Sequence, residues 1–272
     1  MTGRRIAALV LLALASVQAS AQGGVFGFSD DYGASAGDVG STDAEPRWRF
    51  AVGGGLAAAP NFQGSDKYRL RLAPFAAASY GRFFIGFGGL GVNLYRDSGW
   101  RLGALVSPGG GRKENVDARL AGLGDVDRTV NAGLYAVNFS RGFLTRAVVY
   151  TDVGGEGHGT LARLDVLARI PGPGRVNFFA GPGLTWGSRQ YTQTFFGITE
   201  EQSARSGLPE FHAGSGINSL RLTAGTSYRF TPNWRLIGSV AATRLSGDAG
   251  ASPIVETRAQ YLAFVSAIYL FR

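Results

Sequence analysis

From residue 47 onward the chain alternates with a period of two. Residues 47–58 place Trp48, Phe50, Val52, Gly54, Leu56 and Ala58 on one side, against Arg47, Arg49, Ala51 and Gly53 on the other. Residues 68–80 set Tyr68, Leu70 and Leu72 against Arg69 and Arg71, and residues 160–170 set Ala162, Leu164 and Val166 against Arg163, Asp165 and Arg169. Residues 219–230 oppose Leu220, Leu222 and Tyr228 to Arg221 and Arg229, and residues 234–244 carry Trp234 on one face and Arg235, Ser239 and Thr243 on the other. Successive side chains of a strand point to opposite faces, so this period specifies strands. Segments of about ten residues separated by turn chemistry, with helix signals nearly absent, define an all-β chain.

Alternation fits two architectures. In a soluble sandwich the apolar face is the core and the polar face meets water. In an outer-membrane barrel lipid touches the apolar face, aromatics mark the interfaces and the polar face lines the interior. Two features favour the membrane. The apolar faces begin or end on Trp48, Tyr68, Tyr228, Trp234, Tyr269 and Phe271, which reads as interface placement. The chain also finishes on YLAFVSAIYLFR, in which Tyr261, Ala263, Val265, Ala267, Tyr269 and Phe271 form one unbroken apolar face. Exposed to water, that terminus would aggregate. As the closing strand of a barrel it is solvated by lipid.

The N-terminus agrees. Arg4 and Arg5, the apolar run from Ile6 to Ala15 and Ala19-Ser20-Ala21 compose a signal peptide over residues 1–21, too short to span a bilayer. The Arg4-Arg5 pair also admits a twin-arginine reading. Residues 22–46, rich in Gly, Ser and Asp, read as a flexible periplasmic leader, and residues 47–272 as the barrel. Beyond the signal no stretch of 18 apolar residues remains, so membrane helices are excluded. The chain lacks cysteine, which removes disulfides, thiol catalysis and Cys-type metal sites. Losing residues 1–21 removes Arg4 and Arg5 and no acid, lowering the net charge from +8 to +6. That charge is spread rather than gathered, and an exported chain rarely meets nucleic acid, so no nucleic-acid partner is expected.

In hydrocarbon every backbone N–H and C=O needs a partner, and only a closed sheet leaves no edge. The expected fold is therefore a transmembrane antiparallel up-and-down β-barrel of the outer membrane of a Gram-negative bacterium. Residues 81–95 decide the strand count: split at Gly88-Gly89 they give twelve strands, with both termini periplasmic and every short turn on one side. Ten is the alternative. Short links at 140–142, 171–174 and 231–233 read as periplasmic turns, and 108–128 and 188–217 as outer loops.

Several stretches resemble the MltA-interacting protein / OmpV family of outer-membrane barrels. These are PNFQGSDKYRLRLAP (residues 60–74), GRFFIGFGGLGVNL (81–94), GLGD (122–125), FFGIT (195–199), SARSGLP (203–209) and GDAGASP (247–253). They span most of the mature chain in the family's order. The chain departs from the family pattern at its end, where Arg272 follows the terminal aromatic. The resemblance implies an envelope scaffold, with a lytic transglycosylase and a peptidoglycan synthase as partners. Outer-membrane lipid, lipopolysaccharide and the barrel-insertion machinery complete the expected partners. It carries no catalytic residue.

The residues themselves supply little chemistry. His158 lies in a Gly-rich link and His212 in PEFHAGSG with Ser215 three residues on; both read as solvated loop histidines rather than members of a Ser–His hydrolase. Asp125, Asp127 and Asp248 match no metal loop and read as solvated acids. Gly53-Gly54-Gly55 and Gly88-Gly89 sit in strands with no helix following, so they bend or closely pack the wall rather than cradle phosphate. No cofactor or metal is called for, and no enzymatic activity is expected. The informative set is the inward-facing charges Arg49, Arg69, Arg71, Arg163, Asp165, Arg169, Arg221, Arg229 and Arg235. Arginine toward lipid would cost about 2–4 kcal/mol at the midplane, so their shared parity is energetically coherent. They compose either a salt-bridged filling or a cationic constriction for anionic solutes. Phe75, Leu161 and Phe264 on the same faces favour a mostly filled or narrow lumen.

Overall fold

The computed structural model describes residues 47–86 and 88–271; the segments read as signal peptide (1–21) and leader (22–46), Phe87 and Arg272 lie outside the described residues. Twelve strands form one closed antiparallel sheet. They are β1 Trp48–Pro60, β2 Tyr68–Tyr80, β3 Phe83–Gly86, β4 Gly89–Arg96, β5 Trp100–Gly109 and β6 Thr129–Ser140. The remainder are β7 Phe143–Asp152, β8 Thr160–Pro171, β9 Val176–Gly187, β10 Gly216–Arg229, β11 Trp234–Leu245 and β12 Ala259–Phe271. The split at Gly88-Gly89 holds, and the count is twelve. Each strand pairs with its sequence neighbours, and β1 closes on β12 from Phe50 opposite Phe271 to Ala58 opposite Ala263. Closure leaves no free sheet edge at this seam, which hydrocarbon requires.

The two faces separate as the alternation demands. Leu70, Leu72, Leu134, Leu222, Val240 and Val265 stand exposed on the outside, while Ala51, Phe75, Val137, Leu167, Phe179 and Ile237 are buried within. Five short turns, at 81–82, 97–99, 141–142, 172–175 and 230–233, lie at one end together with both ends of the barrel chain. The longer links 110–128, 188–215 and 246–258 lie at the other, so the short-turn end is periplasmic. The two-residue turn at 141–142 places Arg141 at φ 49° and Gly142 at φ 81°, the positive pair a type I′ hairpin requires.

One part of the wall is low. β2 pairs with β1 along all thirteen residues but with β3 only at Ala78, Ser79 and Tyr80. The four-residue β3 turns back through Gly89, at φ 122°, well before the outer rim.

The outer links are more ordered than the sequence suggests. They contain three short helices, α1 Arg189–Phe196, α2 Glu200–Ser206 and α3 Gly247–Ala251, and two single 3-10 turns at Glu114–Val116 and Ala118–Leu120. Ser188 caps α1 by accepting from the Tyr191 N–H, and Thr199 with Gln202 forms a capping box on α2. Four links meet over the mouth in an apolar cluster of Phe62, Leu120, Leu123, Ile198 and Ile254. A second cluster joins Phe195, Phe196 and Ala249 to Leu245 at the top of β11. Polar ties reinforce the cap. The Lys67 ammonium meets the Asp117 carboxylate at 3.0 Å, and the buried Arg112 donates through Nη1 to the Phe195 carbonyl at 2.8 Å.

Candidate functional site

The barrel interior and its periplasmic mouth gather the charges. Strand register fixes the interior: Arg146 of β7 lies opposite Asp165 of β8, Asp165 opposite Gly183 of β9, and Gly183 opposite Arg221 of β10. The missing side chain at Gly183 leaves room for the Arg221 Nη2 to reach the Asp165 carboxylate, and both residues are buried. A Cβ at Gly183 would collide with that carboxylate. This is a charge-assisted pair in a setting where either partner alone would be costly.

The other inward positions fall into two tiers. Arg69 and Arg71, near the outer end of β2, reach the β1–β2 link: Arg71 Nη2 donates to the carbonyls of Pro60 at 3.2 Å and Asn61 at 3.3 Å. Arg163, two residues before Asp165, has its place in the same outer tier. Arg49, Arg169, Arg229 and Arg235 lie near the periplasmic end of their strands, with Arg169 and Arg229 exposed and Arg235 buried. Between the tiers lies an apolar layer of Ala51, Phe75, Val137, Leu144, Leu167, Phe179, Ile237 and Ile268, against which Tyr135, Phe139 and Leu270 pack. Phe264 belongs to a smaller apolar group with Ala57 and Ala73, and Leu161 is buried. Side chains of eight strands thus form one buried apolar cluster toward the periplasmic end of the barrel, and the outer links pack together at the other end.

Of the aromatics expected at the interfaces, Trp48, Tyr228, Trp234, Tyr269 and Phe271 lie at the short-turn end of their strands. Trp48 stacks on Phe50 with centroids 5.5 Å apart, and Trp234 meets Tyr269 edge-on at 5.2 Å. Tyr68 stands alone of this set at the outer end, where its hydroxyl accepts from the Tyr261 N–H at 3.0 Å.

The periplasmic rim is one-sided in charge. Every short turn carries or adjoins an exposed arginine: Arg82, Arg96, Arg141, Arg175 and Arg229, with Arg47 at the start of the barrel. Asp97 is the acidic side chain of this rim among the described residues. It accepts from the N–H groups of Gly99 and Trp100 and from the Tyr95 hydroxyl, which hold its carboxyl below the usual range. The remaining acids, apart from Asp165, sit at or beyond the outer ends of the strands.

One loop expectation needs correction. His158 is buried rather than solvated, its ring edge-on to Phe195 at 5.5 Å and its backbone N–H donating to Asp152 at 2.8 Å. The glycines on either side of it, both with positive φ, let the link fold under α1. His212 is exposed, with Nε2 2.9 Å from Glu210. Asp125 and Asp127 are exposed but engaged by Lys113 at 2.9 and 2.8 Å, and Asp248 accepts from the Gly214 N–H. Sequence reasoning missed Asp117, which gathers Lys67, Asn61, Ser65 and the Arg119 N–H, because its side-chain partners lie some fifty positions away. It also missed Arg112, whose burial pushes the guanidinium down to about 10.

The family model described as "MltA-interacting protein MipA" matches residues 52–271. The MltA-interacting protein of Escherichia coli (strain K12) is 26% identical over 222 residues, covering 80% of this chain and 88% of that one. Outer membrane protein OmpV of Vibrio cholerae is 30% identical over 89 residues, covering 33% and 34%. Among solved structures, the COG4313 outer membrane channel from Pseudomonas putida F1 aligns over 86% of this chain and 98% of that one, at 12% identity and a TM-score of 0.44. With the family model matching nearly the whole barrel, this closed twelve-stranded outer-membrane protein belongs to the MltA-interacting protein MipA family.

Proposed function

We propose that this barrel serves as an envelope scaffold, presenting its periplasmic rim to murein-processing enzymes rather than conducting solutes. The observation that carries this reading is the buried apolar cluster around Phe75, Phe179 and Ile268 inside the barrel, together with the outer links packed on one another at its other end. A lytic transglycosylase is the first partner suggested, by the name of the Escherichia coli relative; a peptidoglycan synthase, implied by the family resemblance, is the second. Outer-membrane lipid and lipopolysaccharide surround the apolar face, and the barrel-insertion machinery engages the β12 segment ending in Tyr269, Leu270 and Phe271. Neither the family name nor the names of these relatives denotes an enzyme.

A narrow anion-preferring pore is the second reading, favoured by the outer arginine tier of Arg69, Arg71, Arg163 and Arg221. Planar-bilayer recording separates the two. The scaffold reading expects no stable single-channel steps, together with co-purification of a murein hydrolase from solubilised envelopes. Steady anion-selective steps, lost in Arg69→Ala/Arg71→Ala, would overturn it in favour of the pore.

A further inference from the structure

The inner face of β9 is nearly bare, and arginine flanks it on both sides. Above Phe179 the strand turns Gly181, Gly183, Thr185 and Gly187 inward. Two rows of the sheet cross it there. In the outer row Arg163 of β8 lies opposite Thr185, and Thr185 opposite Ser219 of β10. In the row beneath, Arg146 faces Asp165, Asp165 faces Gly183 and Gly183 faces Arg221. These rows hold three guanidiniums against one carboxylate, and that carboxylate is bonded to Arg221. Asp152, at the outer end of β7, is engaged by the Thr129 hydroxyl and by the N–H groups of Gly154 and His158.

Arg163 is half-buried, and its Nε is buried with no hydrogen-bond partner among the described residues. A guanidinium brings five donors and no acceptor, so burying it unmet costs free energy that an acceptor-only group would recover. Tyr191 of α1 overhangs the same place. A Cβ on Gly187 would come within 2.8 Å of its Cδ1, and the phenol interacts electrostatically with Arg163. Burial pushes that phenol up, so it keeps its proton and remains a donor.

We propose that the inner faces of β8, β9 and β10 bind one phosphate-type oxyanion over Thr185, between the guanidiniums of Arg163 and Arg221. Planar guanidinium forks match such an anion, and the hydroxyls of Thr185, Ser219 and Tyr191 supply further donors. Asp165 is a built-in oxyanion of the same kind, already seated beside Arg221 in the row beneath. The seat needs no open path through the barrel, so it stands apart from both the scaffold and the pore readings. Silent planar bilayers leave it intact, and its failure leaves the scaffold reading intact.

Isothermal titration of inorganic phosphate into the full-length, heat-modifiable barrel at constant ionic strength tests it. Uptake should saturate at one phosphate per chain. Arg163→Gln should weaken it at least tenfold, whereas Arg244→Gln, on the outer face of β11, should match the parent. In Asp165→Asn, phosphate should protect the heat-modifiable band more than it does in the parent, because the anion replaces the carboxylate lost beside Arg221. Absence of saturable uptake by the parent overturns the proposal, as does equal uptake by Arg163→Gln. Should Arg163→Gln give no heat-modifiable band, Thr185→Val takes its place: uptake weakened severalfold supports the seat, and unchanged uptake overturns it.

Discussion

Asp165 is the inner position where one atom group matters most. It supplies the carboxylate for Arg221 in a buried layer otherwise rich in guanidinium. Asp165→Ala should destabilise the barrel by about 3–5 kcal/mol, the cost of stranding one partner of a buried pair. Asp165→Leu/Arg221→Leu should recover most of that loss; urea dependence of the heat-modifiable band measures both. In the cap, Lys67 and Asp117 set a pH window. The Asp117 carboxyl is pushed up by burial but pulled further down by Lys67 and Asn61, so its contribution is present above the ordinary carboxylate range and lost as pH falls through the depressed value. Asp117 raises the Lys67 ammonium above 10.5, so that contribution is intact below 10.5 and lost as pH rises through the raised value. Outer-loop proteolysis should therefore be slow between about pH 4 and 10 and quicken beyond either end. At this scale the sequence was legible where a residue's role follows from parity, as with Arg221 and Asp165. It was opaque where burial is made by distant chain: His158 lies beneath α1, and Asp117 is a hub for the β1–β2 link.

Among elements, the β1–β12 seam is the most exacting. A Cβ on Gly53 would lie 2.2 Å from the Ala267 carbonyl oxygen, and one on Gly55 2.3 Å from that of Val265, whereas one on Gly54 would meet nothing within 4 Å. Gly53→Ala and Gly55→Ala should each cost about 1–3 kcal/mol through overpacking and lower the folded yield in a detergent-refolding assay. Gly54→Ala, pointing outward, should refold as the parent does. Strand existence and the split at Gly88-Gly89 were readable because the period of two must hold wherever one face meets lipid. The short helices were overlooked although one signature was present: Thr199-Glu200-Glu201-Gln202 is a capping box, with Gly207 at φ 72° ending the turn. The α1 segment RQYTQTFF offers weaker periodicity, and its helix depends on burying Phe195 and Phe196 in the cap.

At the scale of the whole molecule the interior decides between conducting and merely spanning. Alternation tells which side chains avoid lipid but not whether the space they enclose is empty, since that depends on how residues from eight strands pack into one buried cluster. Phe75, Leu161 and Phe264 were the only readable hints. Phe75→Ala/Phe179→Ala removes two aromatic rings from that layer and should raise ion leak through the purified protein in planar bilayers well above the parent's. Unchanged leak would mean that the loop cap alone closes the path. The same cap explains why the extracellular links fold as a unit: two apolar clusters and the Lys67–Asp117 tie bind them together.

The low stretch of wall beside β2 has a dynamic cost. Residues 68–77 have β1 on one flank and no paired strand on the other among the described residues, and Leu72 is 81% exposed. Amide hydrogens directed toward that flank should trade for deuterium sooner than those of β1 facing β12, as residue-resolved exchange in micelles would reveal. The cylinder would then loosen first along this line.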